Sequence, residues 1–406
     1  MGKRFTTLLL TAILCFGTGL TAYAEDGEGP KQVLLLSSLQ LELHKLELPE
    51  LVPRFVFQDG YDFERPKYVR GIYSTFWTAT TSRMGDLIDL IDSSDLNSIV
   101  IDLKDASGTI AFEPENKNAP FAKAAKSIID DPKKLLKRLE EHDIWPIARI
   151  VCFKDDKRAH ENPELSFRRQ NGELWTASGD TAFINPFLKK NWEYNASVAI
   201  AAAKMGFQEI QIDYVRFPEG FQNHAADLEY STGTYEEYNK NDKELDVQQR
   251  VAAVTDFVEF MRKKLEPYDV ELSVDIFGYT ATLPEAPGIG QNMTKISKNV
   301  DVISSMIYPS HWTSYFGIRY PDLHPYELTA AYAKAEKKKL SKLEDPPVER
   351  PWIQDFTASW LPHHRVYGAE EVEAQIRALN ENGIHEFLIW DANNTYSNGV
   401  DYTPLN

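Results

Sequence analysis

Carboxylates recur within and at the ends of short apolar runs of this 406-residue chain. Asp213 ends one such run and Asp275 lies inside another. Side chains alternate along a strand, so Asp213 would share a face with Gln211, and Asp275 with Ser273. Neighbouring strands lie about 4.8 Å apart, so two such carboxylates can reach the roughly 5–10 Å separation that glycoside hydrolysis uses. One would be the ionised nucleophile or base and the other the protonated acid.

The same two carboxylates also have a structural interpretation, in which Asp213 pairs with Arg216 and Asp275 caps a loop. We favour the catalytic interpretation for both. An unpaired charge inside an apolar strand is costly to bury, and this cost is repeated around one end of the predicted strands. The carboxylates concerned are Asp102, Asp105, Asp213, Asp275, Asp355 and Asp391.

Aromatic side chains are concentrated at the same end of the predicted strands as these carboxylates. Five of the eight tryptophans fall there or in the loops that follow, namely Trp77, Trp175, Trp312, Trp360 and Trp390. Flat indole faces suit the C–H faces of sugar rings, although each aromatic residue could equally fill the core. The predicted substrate-binding residues are therefore Asp102, Asp105, Tyr214, Arg216, Tyr308, His311, Trp312 and Trp390, with Tyr214 and Arg216 orienting Asp213.

Other chemistries find less support in the sequence. There is no Gly-x-Ser-x-Gly motif, and Cys152 lies inside a predicted strand without an evident His partner, which indicates a core thiol. No His-x-His or His-Glu-x-x-His motif occurs, so we expect neither a metal nor another cofactor. A metal-dependent polysaccharide deacetylase would need an Asp/His cluster that these residues do not form.

The elements that must position these residues alternate along the chain. Short β-branched or apolar runs predict eight strands, at 69–75, 98–105, 145–153, 209–217, 271–279, 300–309, 350–356 and 385–393. Helical periodicity predicts helices at 84–95, 131–143, 185–206, 246–269, 290–299, 327–344 and 368–383. This order favours an α/β fold of the (β/α)8 TIM-barrel type, because the first strand lacks the Gly-rich turn of a dinucleotide-binding sheet.

The loops after strands three and four, about 154–184 and 218–245, are long and are predicted to form the walls of a cleft. An eighth helix is not evident after the last strand. The leucine-rich segment 32–48, predicted to be a helix, could cover that gap.

The start of the chain predicts export. Lys3 and Arg4 precede an apolar run that ends in Ala22-Tyr23-Ala24, the pattern of a secretory signal peptide cleaved after Ala24. A membrane anchor is the alternative, but the apolar run is shorter than the roughly 20 residues that span a bilayer. We therefore predict a signal peptide at 1–24, a helix and connector at 25–67, and a barrel at 68–406 that is secreted or lies at the cell surface without a membrane anchor.

The overall charge narrows the partners. The chain has 61 Asp and Glu against 44 Lys and Arg, a formal net charge of −17. Nucleic-acid binding is disfavoured, because affinity for phosphates comes from clustered Lys and Arg.

Several strand motifs resemble one bacterial family of glycoside hydrolase-like (β/α)8 barrels that is distantly related to α-amylase-like enzymes. The resemblance covers about residues 68–402, and its most specific part is 206–218 (GFQEIQIDYVRFP). The other segments that carry it are 68–73 (YVRGIY), 100–105 (VIDLKD), 147–155 (IARIVCFKD), 273–278 (SVDIFG), 306–311 (MIYPSH) and 350–356 (RPWIQDF).

The resemblance implies a nucleophile at the end of strand four, which is Asp213, and an acid on strand five, which is Asp275. Related enzymes carry Glu at the second position, and Asp is one C–C bond shorter, so Asp355 on strand seven is an alternative acid or transition-state stabiliser. Strand eight has Asp391 where the family pattern leads us to expect Asn. The sequence thus predicts a secreted hydrolase of O-glycosidic bonds in a polysaccharide or cell-wall glycan, with a poly- or oligosaccharide as its substrate. The alternative is a non-catalytic glycan-binding barrel at the cell surface.

Overall fold

Eight parallel strands follow one another along the chain and close into a barrel in a computed structural model that describes residues 56–177, 180–239 and 245–403. Each strand pairs with the next in sequence, Trp352 pairs with Met306, and the last strand pairs with the first. This closure confirms the predicted (β/α)8 barrel. The strands are β1 (Arg70–Ser74), β2 (Ser98–Lys104), β3 (Trp145–Val151), β4 (Glu209–Asp213), β5 (Glu271–Phe277), β6 (Val302–Met306), β7 (Trp352–Gln354) and β8 (Phe387–Trp390).

Helices flank the barrel between its strands, and several begin and end at the residues that the sequence indicates. Asp131 caps α3 by accepting a hydrogen bond from the Lys134 amide, and Gly206 ends α5 in the left-handed conformation. The helices are α1 (Phe76–Ala79), α2 (Arg83–Asp92), α3 (Pro132–Glu141), α4 (Asp156–Glu161), α5 (Lys189–Met205), α6 (Leu245–Leu265), α7 (Met293–Ile296), α8 (Pro325–Leu340) and α9 (Ala369–Glu381).

All eight strands are shorter than their apolar runs predict, and for two of them the backbone gives the reason. The fourth was expected to reach residue 217, but Tyr214 has a φ of 51°, and this left-handed conformation takes the backbone out of the sheet directly after Asp213. The seventh begins only at Trp352, after Pro351, which has no N–H to give to a strand ladder.

The segment after β8 packs against β1 without forming a helix as far as residue 403, where the described part of the chain ends. The Tyr396 hydroxyl accepts a hydrogen bond from the Tyr73 amide, and the Asn394 side chain bonds to the Thr75 amide and the Tyr73 carbonyl. Side-chain contacts therefore replace an eighth helix here. The predicted signal peptide and the 32–48 helix lie outside the described residues.

The two long loops that follow β3 and β4 are held together. Arg168–Arg169 and Leu228–Glu229 form a two-stranded antiparallel sheet between them. Beneath it lies an aromatic cluster that includes Trp175, which is only 6% exposed and therefore fills the core of the loops rather than offering a free face. The cluster also contains Phe167, Phe187, Phe217, Phe221 and Tyr230.

Polar side chains are buried in the barrel at both ends and between them, next to an apolar cluster that includes Val100, Ile147 and Leu388. At the N-terminal end, the fully buried Arg350 contacts Glu209 at 2.7 Å and Glu386 at 2.7 Å. Halfway along, Gln211 donates a hydrogen bond to Ser304. Buried charges are stable only when they are paired, so each layer of this interior needs its own partners. Within the described ranges, no helix combines the length and the apolarity that crossing a bilayer requires.

Candidate active site

Three predicted carboxylates converge on one arginine at the C-terminal end of the barrel. The Nη1 of Arg149 lies 2.6 Å from Oδ1 of Asp102, and its Nε lies 3.1 Å from Oδ2 of Asp213. The Nη2 of Arg149 makes a second bond to the same Asp213 oxygen. Oδ2 of Asp275 lies 3.8 Å from Nε. All four side chains are buried.

The strand register explains this convergence. Asp102 and Arg149 are direct partners on β2 and β3, and Asp213 is paired with Val151. Gln211 is paired with Ser273, so Asp213 and Asp275 lie at the same height, two residues further along β4 and β5. The alternation that the sequence predicts therefore places both carboxylates on the inner face of the barrel.

An irregularity in β2 helps to orient the side chain of Asp102 toward Arg149. The register between β2 and β3 shifts between Asp102 and Lys104, as it does at a β-bulge. Asp102 contacts Arg149 inside the barrel, whereas the Lys104 ammonium lies 2.8 Å from Asp155 and 5.6 Å from the ring of Tyr194 on α5. Strict alternation would have placed Asp102 and Lys104 on the same face.

The spacing of Asp213 and Asp275 follows from their shared partner. Their Oδ2 atoms lie 3.1 and 3.8 Å from the same Arg149 nitrogen, so they are at most 6.9 Å apart, the sum of the two distances. Retaining glycosidases separate their two carboxyl groups by about 5–5.5 Å and inverting ones by about 6.5–9.5 Å. The upper bound of 6.9 Å allows the retaining separation and only the lower end of the inverting range.

The surroundings of the two carboxylates differ. Asp213 accepts hydrogen bonds from Nε and Nη2 of Arg149 and from the Tyr214 amide, donors that suit an ionised carboxylate. Burial, and then the negative charge of Asp213, raise the pKa of Asp275 well above its ordinary value. The indole N–H of Trp352 donates to Oδ1 of Asp275 at 2.8 Å. Burial and the neighbouring charge thus favour the protonated form of Asp275, the form that a general acid needs.

Asp102 has a supporting position. It accepts hydrogen bonds from Arg149 and from the Tyr73 hydroxyl. Burial raises the pKa of Asp102 and is only partly opposed by the charge of Arg149. Asp102 thereby holds the arginine that holds Asp213.

The remaining predicted carboxylates have partners of their own. Asp355 accepts hydrogen bonds from the hydroxyl of Ser397 at 2.6 Å and from its amide at 2.8 Å, and burial raises the pKa of Asp355. Asp105 caps the turn through Ser107 and Thr109, and Asp391 accepts the Asn393 amide. None of the three contacts Arg149, so the structure does not join them to the central cluster.

No hydrogen bond or ion pair joins Arg216 to Asp213, so the structure does not support the predicted role of Arg216 in orienting Asp213. Arg216 donates to the Phe217 carbonyl at 3.2 Å and pairs with Glu219 at 3.2 Å, and Arg149 is the residue that binds Asp213. The Asp213–Arg216 pair of the structural interpretation is likewise not formed. Tyr214 does contact Asp213, but through its backbone amide.

Aromatic rings cover the cluster and continue outward to solvent. Tyr73 and Trp390 stack at 4.1 Å between ring centres, and the guanidinium carbon of Arg149 lies 5.3 Å from the Trp390 ring. Tyr308 follows, with a hydroxyl pKa raised by burial and by the charges of Asp275 and Asp213. The path then runs through His311 and Phe356 to Trp360, which is 63% exposed.

Trp312 lies outside this path. The centre of its ring lies 5.1 Å from the ring centre of Tyr315, 5.7 Å from that of Phe316 and 6.1 Å from that of Tyr332. Its assignment as a sugar platform stays a prediction.

Sequence reasoning missed three residues that organise the site: Arg149, Tyr73 and Trp352. A signal was present for Arg149, which is the only cation in the otherwise apolar run of β3 and sits where strand alternation points inward. Trp352 was assigned to the start of a strand, and nothing in its immediate sequence marks it as a partner of Asp275. In the part of the chain that the structure describes, no three His, Cys, Asp or Glu residues form a group that could hold a metal ion.

A family model described as "Putative glycosyl hydrolase domain" matches residues 71–396. No protein with a curated description matches the sequence. A hypothetical protein from Ruminiclostridium thermocellum ATCC 27405 is 29% identical over 50% of this chain and 96% of that chain, with a TM-score of 0.42.

Two solved structures resemble the barrel over most of its length. The glycoside hydrolase domain of PgaB (BpsB) from Bordetella bronchiseptica is 15% identical over 80% of this chain and 95% of that chain, with a TM-score of 0.53. The β-galactosidase of the psychrophilic Marinomonas ef1 is 12% identical over 79% of this chain and 54% of that chain, with a TM-score of 0.54. At these identities the likeness concerns the fold.

Proposed function

This chain belongs to the glycosyl hydrolase domain family whose model matches residues 71–396, and we propose that it cleaves O-glycosidic bonds with Asp213 and Asp275. The observation that carries the proposal is the pairing of these two carboxylates on one arginine. They are no more than 6.9 Å apart by the two distances to Arg149 Nε, and their surroundings favour opposite protonation states. Such a split is what assigns the acid and the nucleophile in a glycosidase.

In this mechanism Asp275 donates its proton to the glycosidic oxygen as the bond to the leaving sugar breaks. Asp213, held by Arg149 and the Tyr214 amide, attacks the anomeric carbon from the opposite side. Water then releases the sugar while Asp275 acts as the base. Because the upper bound of 6.9 Å allows the retaining separation and excludes most of the inverting range, we propose that the product keeps the anomeric configuration of the substrate.

Asp355 remains the competing candidate for the acid. Its two hydrogen bonds from Ser397 and its lack of contact with Arg149 support a structural role instead. Aryl glycosides with activated leaving groups can show whether Asp275 or Asp355 is the acid. Such leaving groups need little protonation, so the loss of the true acid affects their hydrolysis only slightly. Asp275→Asn is expected to lose most activity on natural glycans but far less on these substrates, whereas Asp355→Asn keeps the wild-type ratio. The opposite pattern would transfer the acid role to Asp355.

The general test is the release of reducing sugar from a panel of poly- and oligosaccharides by the full chain. We expect hydrolysis of at least one glycan. Binding to a panel member without release from any of them would favour the alternative, a non-catalytic glycan-binding barrel. One observation supports that alternative, because Asp213 is only 4% exposed and already paired with Arg149.

We also propose that the protein is exported by residues 1–24 and acts outside the cytoplasm. The support is the sequence pattern of two cations, an apolar run and a small-x-small end at Ala24. Expression in a bacterial host followed by N-terminal sequencing of the exported protein is expected to find Glu25 first. Retention of Met1 on a protein that stays inside the cell would contradict export.

A further inference from the structure

Two cations stand beside the proposed catalytic pair, although the chain as a whole is acidic. The Lys154 ammonium lies 4.9 Å from the centre of the Tyr214 ring, and the guanidinium carbon of Arg216 lies 4.8 Å from the same point. Tyr214 directly follows Asp213. In a protein of net charge −17, these two cations lie together on the ring of the residue that follows the proposed nucleophile.

Arg216 is held as a rigid part of the site. Its guanidinium carbon lies 4.6 Å from the Phe277 ring and 5.6 Å from the Phe183 ring, and the residue is only 6% exposed. Phe277 is two residues beyond Asp275 on β5, which is roughly 7 Å along a strand. The cation therefore contacts the same strand as the proposed acid, beyond it in the direction of the C-terminal end of β5.

A carboxylate already occupies the accessible edge of this guanidinium. Glu219 contacts Nη2 of Arg216 at 3.2 Å, and the Glu219 side chain is 69% exposed. Glu219 is the solvent-exposed partner of this pair, so a ligand carboxylate can approach from that side and exchange with Glu219, which returns to water. Arginine suits this exchange because its planar fork matches a carboxylate.

Lys154 is half-buried over the Tyr214 ring, and it forms no ion pair with a carboxylate in the described ranges. Asp213 does not act as the ion-pair partner of Lys154, because Asp213 is paired with Arg149. A partly desolvated ammonium without a carboxylate beside it is a ready partner for an anionic ligand group.

We infer that Lys154, Arg216 and Tyr214 form a subsite for the carboxylate of an acidic sugar, so that the substrate is a uronic acid-containing glycan. The inference rests on the proposed function, since it places this sugar next to Asp213 and Asp275. The carboxylate of this sugar would displace Glu219 from Arg216 or contact Lys154, while the Tyr214 ring holds the two cations next to Asp213.

The test measures binding, so that it does not depend on turnover. Full-length Asp213→Asn protein is titrated with uronic acid oligosaccharides and with the same oligosaccharides after reduction of each carboxylate to a hydroxymethyl group. We expect at least one uronate form to bind about 10-fold or more tightly than its reduced form. Adding Lys154→Met is expected to remove most of this preference without weakening the reduced form.

Two further variants sharpen the result. Adding Glu219→Gln removes the competing carboxylate and is expected to tighten uronate binding several-fold, whereas Lys338→Met, at an exposed position on α8, leaves it unchanged. Arg216→Met is expected to act like Lys154→Met. Because Lys154 is less buried, its variant decides the matter if Arg216→Met does not fold.

Equal binding of uronate and reduced forms, or no binding of any uronate, would overturn the inference. A preference that survives Lys154→Met, or tighter binding of a sulfated neutral oligosaccharide than of any uronate, would do so as well. Wild-type hydrolysis of neutral glycans without a uronate preference would remove the inference but leave the proposed function. Uronate binding without hydrolysis of any glycan would remove the proposed function alone.

Discussion

Arg149 determines what Asp213 can do. A buried carboxylate without a partner would take up a proton, and a protonated Asp213 could not attack an anomeric carbon. The two bonds from Arg149 and the one from the Tyr214 amide supply a cation and the donors that an ionised carboxylate accepts, and they fix its direction. Asp102 and Tyr73 hold Arg149 from the other side, so the orientation of Asp213 depends on a chain of four residues.

The hydrogen bond from Trp352 to Asp275 sets the upper pH limit of the proposed reaction. A donor stabilises the ionised carboxylate and lowers its pKa, so Trp352→Phe is expected to raise the pKa of Asp275 further. A net loss of about 1 kcal/mol corresponds to roughly 0.7 pH unit. The pH dependence of kcat/KM checks this, because activity falls as pH rises through the pKa of the acid.

Trp145→Phe is the matched control for that experiment. It removes an indole N–H that donates to Glu209 at the opposite end of the barrel. The fall of kcat/KM at high pH should occur at the same pH in Trp145→Phe as in the wild type. A basic limb that Trp352→Phe leaves in place, or moves to lower pH, would separate Asp275 from the acid role.

At the scale of elements, side-chain periodicity was enough to place all eight strands. Alternation along β4 and β5 correctly predicted that Asp213 and Asp275 share the inner face. Periodicity did not predict Arg149 as their common partner, because a pairing across strands depends on register. It also missed the irregular register of β2, since a bulge leaves no mark in a run as short as Ile-Asp-Leu-Lys.

Helix α8 carries a buried carboxyl group that makes the stability of the protein depend on pH. Glu336 is fully buried against β6, where the Ser305 hydroxyl donates to it at 2.8 Å. Burial, and then the charge of Glu349, raise the pKa of Glu336 from 4.5 to about 8. The folded protein therefore binds a proton that the unfolded chain releases between about pH 4.5 and 8, so this group destabilises the fold as pH rises through that window.

Glu336→Gln removes this titration and keeps an acceptor for Ser305. The variant is expected to gain stability relative to the wild type as pH rises from 5 to 9, by several kcal/mol at the upper end, since each unit of pKa shift is about 1.4 kcal/mol. Urea unfolding at the two pH values measures the difference. Glu327→Gln, on the exposed first turn of the same helix, should show no such trend. A stability difference between Glu336→Gln and the wild type that does not change with pH would contradict the burial argument.

For the whole molecule, the two ends of the polar barrel interior have different tasks. Arg350 binds Glu209 and Glu386 at the N-terminal end of the barrel. Arg149 lies at the C-terminal end and binds the carboxylates proposed to act on substrate. In barrels of this type, residues at the N-terminal face contribute to stability and those at the C-terminal face to catalysis. The sequence predicted the second face from its carboxylates and aromatic residues. It did not indicate the first, because Arg350 and its partners are far apart in the chain.

Arg350→Met is expected to lower the free energy of unfolding by about 3–5 kcal/mol, because it leaves Glu209 buried without its cation. At a temperature where the variant remains folded, its kcat on the hydrolysed glycan should equal that of the wild type. Arg149→Met should lose both stability and kcat. Circular dichroism melting together with the hydrolysis assay separates these outcomes, and a loss of kcat by folded Arg350→Met would contradict the division of tasks.

The central claim, that Asp213 and Asp275 carry out hydrolysis, is tested most directly by the kcat/KM of Asp213→Asn on a glycan that the wild type cleaves. The substitution keeps the size of the side chain and removes the charge that attacks the anomeric carbon. The account predicts a loss of about 1,000-fold or more, equivalent to roughly 4 kcal/mol of transition-state stabilisation, with glycan binding retained. Equal product from both proteins would contradict it.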